Sequence, residues 1–197
     1  MRLFAAVLPP DTATSELAAA AHALKQLSGA DELRWTARES WHFTLAFMAE
    51  ADDAVVPDLA ARLARAAHRT PPFSLALRGG GHFGDRALWA GVTGDVAALR
   101  LLARRADAAA RKAGITMEEQ HRPYRPHLTL ARGRGEPDLA PYADALGSFA
   151  GTAWPVRELT LVRSELPRSG VPGERPRYEA VGRWSLGGGA GEPGGAG

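Results

Sequence analysis

Cysteine is absent from the 197 residues. That removes disulfides, Cys-ligated zinc, iron–sulfur clusters and thiol nucleophiles, and makes a reducing cytoplasm the simplest compartment. Lysine is almost absent: among 24 cationic side chains only Lys25 and Lys112 are lysines, and the rest are arginines. A base-composition bias accounts for the distribution as a whole, yet a planar guanidinium suits phosphate oxygens wherever it lines a site. No stretch of 18 apolar residues runs without a charge, so neither a transmembrane helix nor a membrane partner is expected. Met1–Pro10 carries one Arg and a short apolar run that ends in two prolines, and reads as a strand and its exit, not a signal peptide. Net charge is only +2, which argues against tight non-specific binding of RNA. Hydrophobic residues make up 45% of the chain, enough for one domain or for two small lobes sharing a core.

Arg2–Leu8 reads as a strand. Pro9-Pro10-Asp11-Thr12 turns the chain, and Thr12 or Thr14 is placed to cap a helix reaching about Leu27. Leu33–Thr36 and Trp41–Met48 read as strands. Asp52–His68 carries Val55, Val56, Leu59, Leu63 and Ala67 at helical spacing, and Pro71-Pro72 stops it. Phe73–Arg78 and Ala87–Val92 predict two strands around a turn containing Gly79-Gly80-Gly81. Asp95–Lys112 is a second amphipathic helix, ended by Gly114. Residues 115–125 read as a polar loop and Pro137–Phe149 as a shorter helix. Val156–Ser164 and Arg177–Leu186 close the fold as strands. The Gly-rich residues 187–197 predict a disordered tail, which leaves 1–186 as a single domain. The element order points to an α+β fold built as a duplicated, bilobal unit, with antiparallel sheets lining a central cleft and helices outside.

Two segments nearly repeat each other. His42-Phe43-Thr44-Leu45-Ala46-Phe47 and His127-Leu128-Thr129-Leu130-Ala131-Arg132 both read His, apolar, Thr, Leu, Ala. A strand puts residues i and i+2 on one face, so each segment projects an imidazole and a hydroxyl together. Facing strands of this kind would bring two histidines and two threonines to one site, a candidate acid–base pair with hydrogen-bond donors beside it. Packing accounts for the repeated leucines but not for the repeated His and Thr.

These motifs resemble those of the two-histidine (2H) phosphoesterase superfamily, and more narrowly the bacterial and archaeal RNA 2′,3′-cyclic phosphodiesterases, also called 2′-5′ RNA ligase-like proteins. The resemblance includes Arg2-Leu3-Phe4, Leu33-Arg34-Trp35, Leu88-Trp89-Ala90-Gly91-Val92, Arg125-Pro126-His127, and Tyr178-Glu179-Ala180-Val181-Gly182-Arg183-Trp184. It departs at Phe47-Met48-Ala49-Glu50, where the family commonly continues Phe-Leu-Gly. The resemblance implies hydrolysis of an RNA 2′,3′-cyclic phosphate to a 2′-phosphomonoester, without a metal or other cofactor. It also implies His42 as proton donor and His127 as proton acceptor, and it admits the reverse reaction, 2′-5′ ligation. From the residues alone the two histidines are interchangeable.

Thr44 and Thr129 are placed to donate to phosphate oxygens. Simple alternation puts Arg132, five residues after His127, on the opposite face; a bulge would redirect it to phosphate. Arg125 is a second candidate phosphate contact. Tyr124 is the best placed of the aromatics for stacking on a base, ahead of Phe4, Trp35, Trp41 and Tyr178. Among the other histidines, His22 and His68 read as helix-surface residues, His82 as part of a Gly-rich loop, and His121 as a loop residue close enough to approach substrate. No Asp or Glu lies at a recognised metal-ligand spacing from His42 or His127. The expected partners are RNA ends or nucleotides bearing a 2′,3′-cyclic phosphate, and a monomer is expected. Two alternatives remain: a phosphodiesterase of small nucleotides (a cyclic phosphate of an ADP-ribose derivative, or 2′-5′ oligonucleotides), and a non-catalytic RNA-binding module.

Overall fold

The computed structural model describes residues 1–118, 123–166 and 176–188. His121 and most of the expected tail lie outside them. Nine strands are described: β1 (Arg2–Val7), β2 (Leu33–Trp35), β3 (Phe43–Met48), β4 (Phe73–Phe83), β5 (Ala87–Gly94), β6 (Leu128–Gly133), β7 (Trp154–Val156), β8 (Glu158–Glu165) and β9 (Arg177–Ser185). Four α-helices accompany them: α1 (Asp11–Leu24), α2 (Val56–His68), α3 (Val96–Lys112) and α4 (Ala140–Leu146). Among these elements, no helix is long and apolar enough to cross a membrane.

The strands form two antiparallel sheets. One has the order β3-β1-β8-β9 and the other β2-β6-β5-β4-β7. Helices α2 and α3 cover the outer face of the first sheet, while α1 and α4 lie against the second. Leucines at helical spacing, such as Leu59 and Leu63 on α2 and Leu99 and Leu102 on α3, are fully buried in this packing. Each contributes about 1.5–3 kcal/mol relative to exposure. The lobes are not the two halves of the chain. β1, β3, β8 and β9 build one, and the chain passes back and forth between the sheets to complete the other.

Several boundaries differ from the sequence reading: α1 ends at Leu24, α2 begins at Val56 and α4 covers only Ala140–Leu146. Gly79-Gly80-Gly81 lies inside β4, not in its turn, and the turn falls at Gly84–Arg86. The glycines serve close approach: a Cβ on Gly80 or Gly81 would collide with Trp89. The run 156–164 splits at Arg157, because Val156 pairs with Phe73 in one sheet while Glu158 pairs with Ser185 in the other. Alternation alone does not reveal a change of sheet. β9 ends at Ser185, one residue before the expected Leu186, and the chain just beyond it is packed: Leu186 is buried, its N–H donates to the Arg157 carbonyl at 2.8 Å, and Gly187 turns against Pro72 with φ 72°. At the start of α1 neither Thr12 nor Thr14 caps the helix; the Thr14 hydroxyl donates to the Asp11 carbonyl instead.

Candidate active site

His42 immediately precedes β3 and His127 immediately precedes β6. The two strands belong to different sheets, and both imidazoles line one cleft of ≈ 660 Å³ together with Thr44 and Thr129. Both strands carry the same irregularity. Against β1 the pairing steps from Ala6↔Thr44 to Ala5↔Ala46, which leaves Leu45 as an extra residue. Against β5 it steps from Trp89↔Thr129 to Leu88↔Ala131, which leaves Leu130 extra. A bulge resets the alternation. Leu45 and Ala46 are therefore both buried, as are Leu130 and Ala131, and the next residue in each strand returns to the cleft face. That residue is Phe47 in one strand and Arg132 in the other, and both line the cleft.

Backbone carbonyls fix the imidazoles in the same way. His42 Nδ1 lies 2.7 Å from the Ser40 carbonyl, and His127 Nδ1 lies 2.7 Å from the Arg125 carbonyl. A carbonyl only accepts, so each Nδ1 carries hydrogen and each neutral ring keeps its lone pair on Nε2. The two Nε2 atoms then differ. His42 Nε2 is 3.0 Å from the Thr44 hydroxyl, which donates to the neutral ring. His127 Nε2 has no hydrogen-bond partner among the described residues.

The aromatic surroundings also differ. Phe4 stacks on the His42 ring at 4.5 Å between centroids, with the Tyr178 ring edge-on at 5.6 Å. Phe83 meets His127 edge-on at 4.9 Å, with Trp89 beyond it. Burial is the main reason both imidazoles fall below the ordinary histidine pKa, and the carbonyl bonds oppose it. The Arg132 charge lowers both further, His127 adds to the effect on His42, and Arg125 adds to that on His127.

Of the residues anticipated from sequence, His42, Thr44, His127, Thr129 and Arg132 meet in the cleft. Arg132 reaches it by the bulge. Arg125 does not line the cleft: its guanidinium lies over Phe83, 6.0 Å from the ring centroid, and its carbonyl holds His127. Tyr124 turns inward, where its hydroxyl donates to the Thr44 carbonyl at 2.8 Å and burial raises its pKa. It ties the second motif's loop to the first motif strand and is not among the residues that line the cleft. His82 is exposed, with Nδ1 against the Gly84 carbonyl. Phe4 and Tyr178, weighed from sequence for stacking, line the cleft, and so do Phe47, Arg2, Arg34 and Thr36, which were not singled out as site candidates. Phe47 and Tyr178 are each 40% exposed. Arg2 lies over Phe47 at 5.2 Å, and Arg34 and Thr36 line the opposite wall. The Phe47 signal was in the sequence, since it occupies the same place in its motif as Arg132 does in the other.

The family model of the 2′-5′ RNA ligase superfamily matches residues 9–168. An RNA 2′,3′-cyclic phosphodiesterase of Thermus thermophilus is 29% identical over 194 residues, covering 94% of this chain and 90% of its own. One of Geobacillus stearothermophilus is 33% identical over 157 residues, or 77% of this chain; the match spans only 47% of that relative's length. The crystal structure of E. coli LigT complexed with 3′-AMP superposes with a TM-score of 0.73 at 27% identity, covering 94% of this chain and 97% of the other.

Proposed function

The chain belongs to the 2′-5′ RNA ligase superfamily, and on that premise we propose that it hydrolyses RNA 2′,3′-cyclic phosphates to 2′-phosphomonoesters by a two-histidine acid–base mechanism. The observation that carries this reading is the pair of imidazoles in one cleft, each with Nδ1 held by the carbonyl two residues upstream and Nε2 left for proton transfer. The activity named for the Thermus relative and the nucleotide complex of LigT support it.

His127 is the proton acceptor in this scheme, because its Nε2 is uncommitted. It takes a proton from water as the water oxygen forms its bond to phosphorus. The bond from phosphorus to the ribose 3′ oxygen breaks, and protonated His42 supplies the proton that oxygen needs. The product carries phosphate on the 2′ oxygen and a free 3′ hydroxyl. Burial disfavours the His42 imidazolium, and the anionic phosphate entering the cleft restores it. Protonation also ends the bond from Thr44 to His42: Nε2–H is then available to the leaving 3′ oxygen, and the Thr44 hydroxyl is freed to donate to a non-bridging oxygen. Thr129 and the Arg132 guanidinium stabilise charge on the same oxygens. The chain's own residues suffice for each proton transfer. With a 5′ hydroxyl in place of water, the same steps join its oxygen to phosphorus as the 3′ oxygen leaves, and the product is a 2′-5′ linkage.

The test is turnover of a short RNA ending in a 2′,3′-cyclic phosphate, beside cyclic mononucleotides. Release of a 2′-phosphomonoester supports the proposal. RNA binding with no turnover of any cyclic phosphate would make the protein a non-catalytic binding module.

A further inference from the structure

Arg34 and Arg132 are direct cross-strand partners on β2 and β6. Residues opposite each other in an antiparallel pair share a face, so two guanidinium-bearing side chains stand on one rung, and both line the cleft. Like charges directly opposite destabilise a sheet. Neither arginine has an ion-pair partner among the described residues. The direction of Arg34 is fixed by its neighbour. Trp35, on the other face, donates from Nε1 to the Ala30 carbonyl at 2.9 Å and meets Tyr142 edge-on. Arg34 is thus held toward the cleft at a cost that an anion would offset.

The two arginines do not serve the same anion. Arg132, on the strand that follows His127, lowers the pKa of both histidines, whereas Arg34 stands on the edge strand β2, one strand further out. Adjacent strands lie about 4.8 Å apart. With the reacting phosphate between the imidazoles and within reach of Arg132, Arg34 faces the space beyond it.

We propose that Arg34 binds a second phosphate, the one attached to the 5′ oxygen of the nucleotide whose cyclic phosphate is opened. The inference rests on the hydrolase reading above and names a substrate class for it: nucleotides with a 5′-phosphoryl group, not bare cyclic nucleosides. Two sources supply that group, the phosphodiester of an RNA chain and the 5′-phosphate of a small nucleotide.

Steady-state kinetics on three substrates test this. They are adenosine 2′,3′-cyclic phosphate, its 5′-phosphorylated form, and the dinucleotide in which an upstream adenosine is joined through that 5′ phosphate. The unaltered protein prefers one or both phosphorylated forms, by kcat/KM, over the bare cyclic nucleotide. In Arg34→Met that preference falls about tenfold, mainly through KM, and Arg34→Lys keeps part of it because the charge remains while the planar fork is lost. The favoured form identifies the source, chain or small nucleotide. Equal losses on all three substrates, or no change on any, overturn the proposal. Calorimetric binding of 2′-AMP and of adenosine 2′,5′-bisphosphate separates this from failure of the hydrolase reading. If nothing is turned over, the hydrolase reading fails, and the Arg34 site stands only if Arg34→Met weakens the bisphosphate selectively.

Discussion

Phe47 and Arg132 occupy equivalent places in the two motif strands, each turned onto the cleft face by a bulge at the preceding motif leucine. The duplicated backbone thus carries an aromatic ring on one wall and a cation on the other. With Arg2 over Phe47 and Tyr178 nearby, the His42 wall suits a nucleobase; with Arg34 beside Arg132, the His127 wall suits phosphate. Phe47→Ala should raise KM for a cyclic nucleotide roughly 5- to 100-fold and change kcat little, since base–aromatic stacking is worth about 1–3 kcal/mol per base. A loss confined to kcat would place Phe47 outside the binding wall.

His42→Ala and His127→Ala should each slow turnover at least about 10²-fold, the usual contribution of a general acid or base. Rapid-quench or steady-state assays on a cyclic mononucleotide read this directly. A near-normal rate in either variant would remove that histidine from the mechanism.

Arg132→Met should cost about 10²–10³ in kcat, comparable to removing one oxyanion donor. It should also raise the pKa of both imidazoles, because Arg132 lowers both in the native protein. NMR titration of the ring protons separates these effects. Lost activity with unmoved histidine titrations would mean that the guanidinium acts only on substrate.

Stability should depend on pH with a defined sign. Burial disfavours the charged form of both histidines, so their folded pKa values lie below the unfolded value of about 6.5. The unfolded chain then binds more protons between those values, and stability rises with pH in that window. The contribution is fully present above about pH 6.5 and is lost as the pH falls toward the lowered folded values. Thermal melts from pH 8 to pH 5 should show this decline, and the His42→Gln/His127→Gln double variant should flatten it. An unchanged slope would assign the decline to other groups.

Much of the site was legible because strand alternation is a short-range rule. His42 with Thr44, and His127 with Thr129, needed only a period of two. Arg132 and Phe47 required knowledge of the bulges, which are set by pairing with β1 and β5, strands distant in sequence. Arg34 was invisible for the same reason: its partnership with Arg132 exists only in the register of β2 on β6. The break at Arg157 and the glycines inside β4 escaped notice because both depend on which sheet, or which Trp89, stands opposite. Tyr124 looked accessible beside a charged loop, yet its hydroxyl reaches a carbonyl 80 residues away. The asymmetry between the histidines also arises from tertiary neighbours, Phe4 and Tyr178 against Phe83 and Trp89, and not from the motifs themselves.

The central claim is that two histidines of this chain open a cyclic phosphate by proton transfer and expel the 3′ oxygen. The most direct measurement is the position of phosphate in the product formed from an RNA 2′,3′-cyclic end in the presence of EDTA. The account predicts undiminished turnover and a 2′-phosphomonoester with a free 3′ hydroxyl. A 3′-phosphate, or activity abolished by EDTA and restored by a divalent cation, would contradict it.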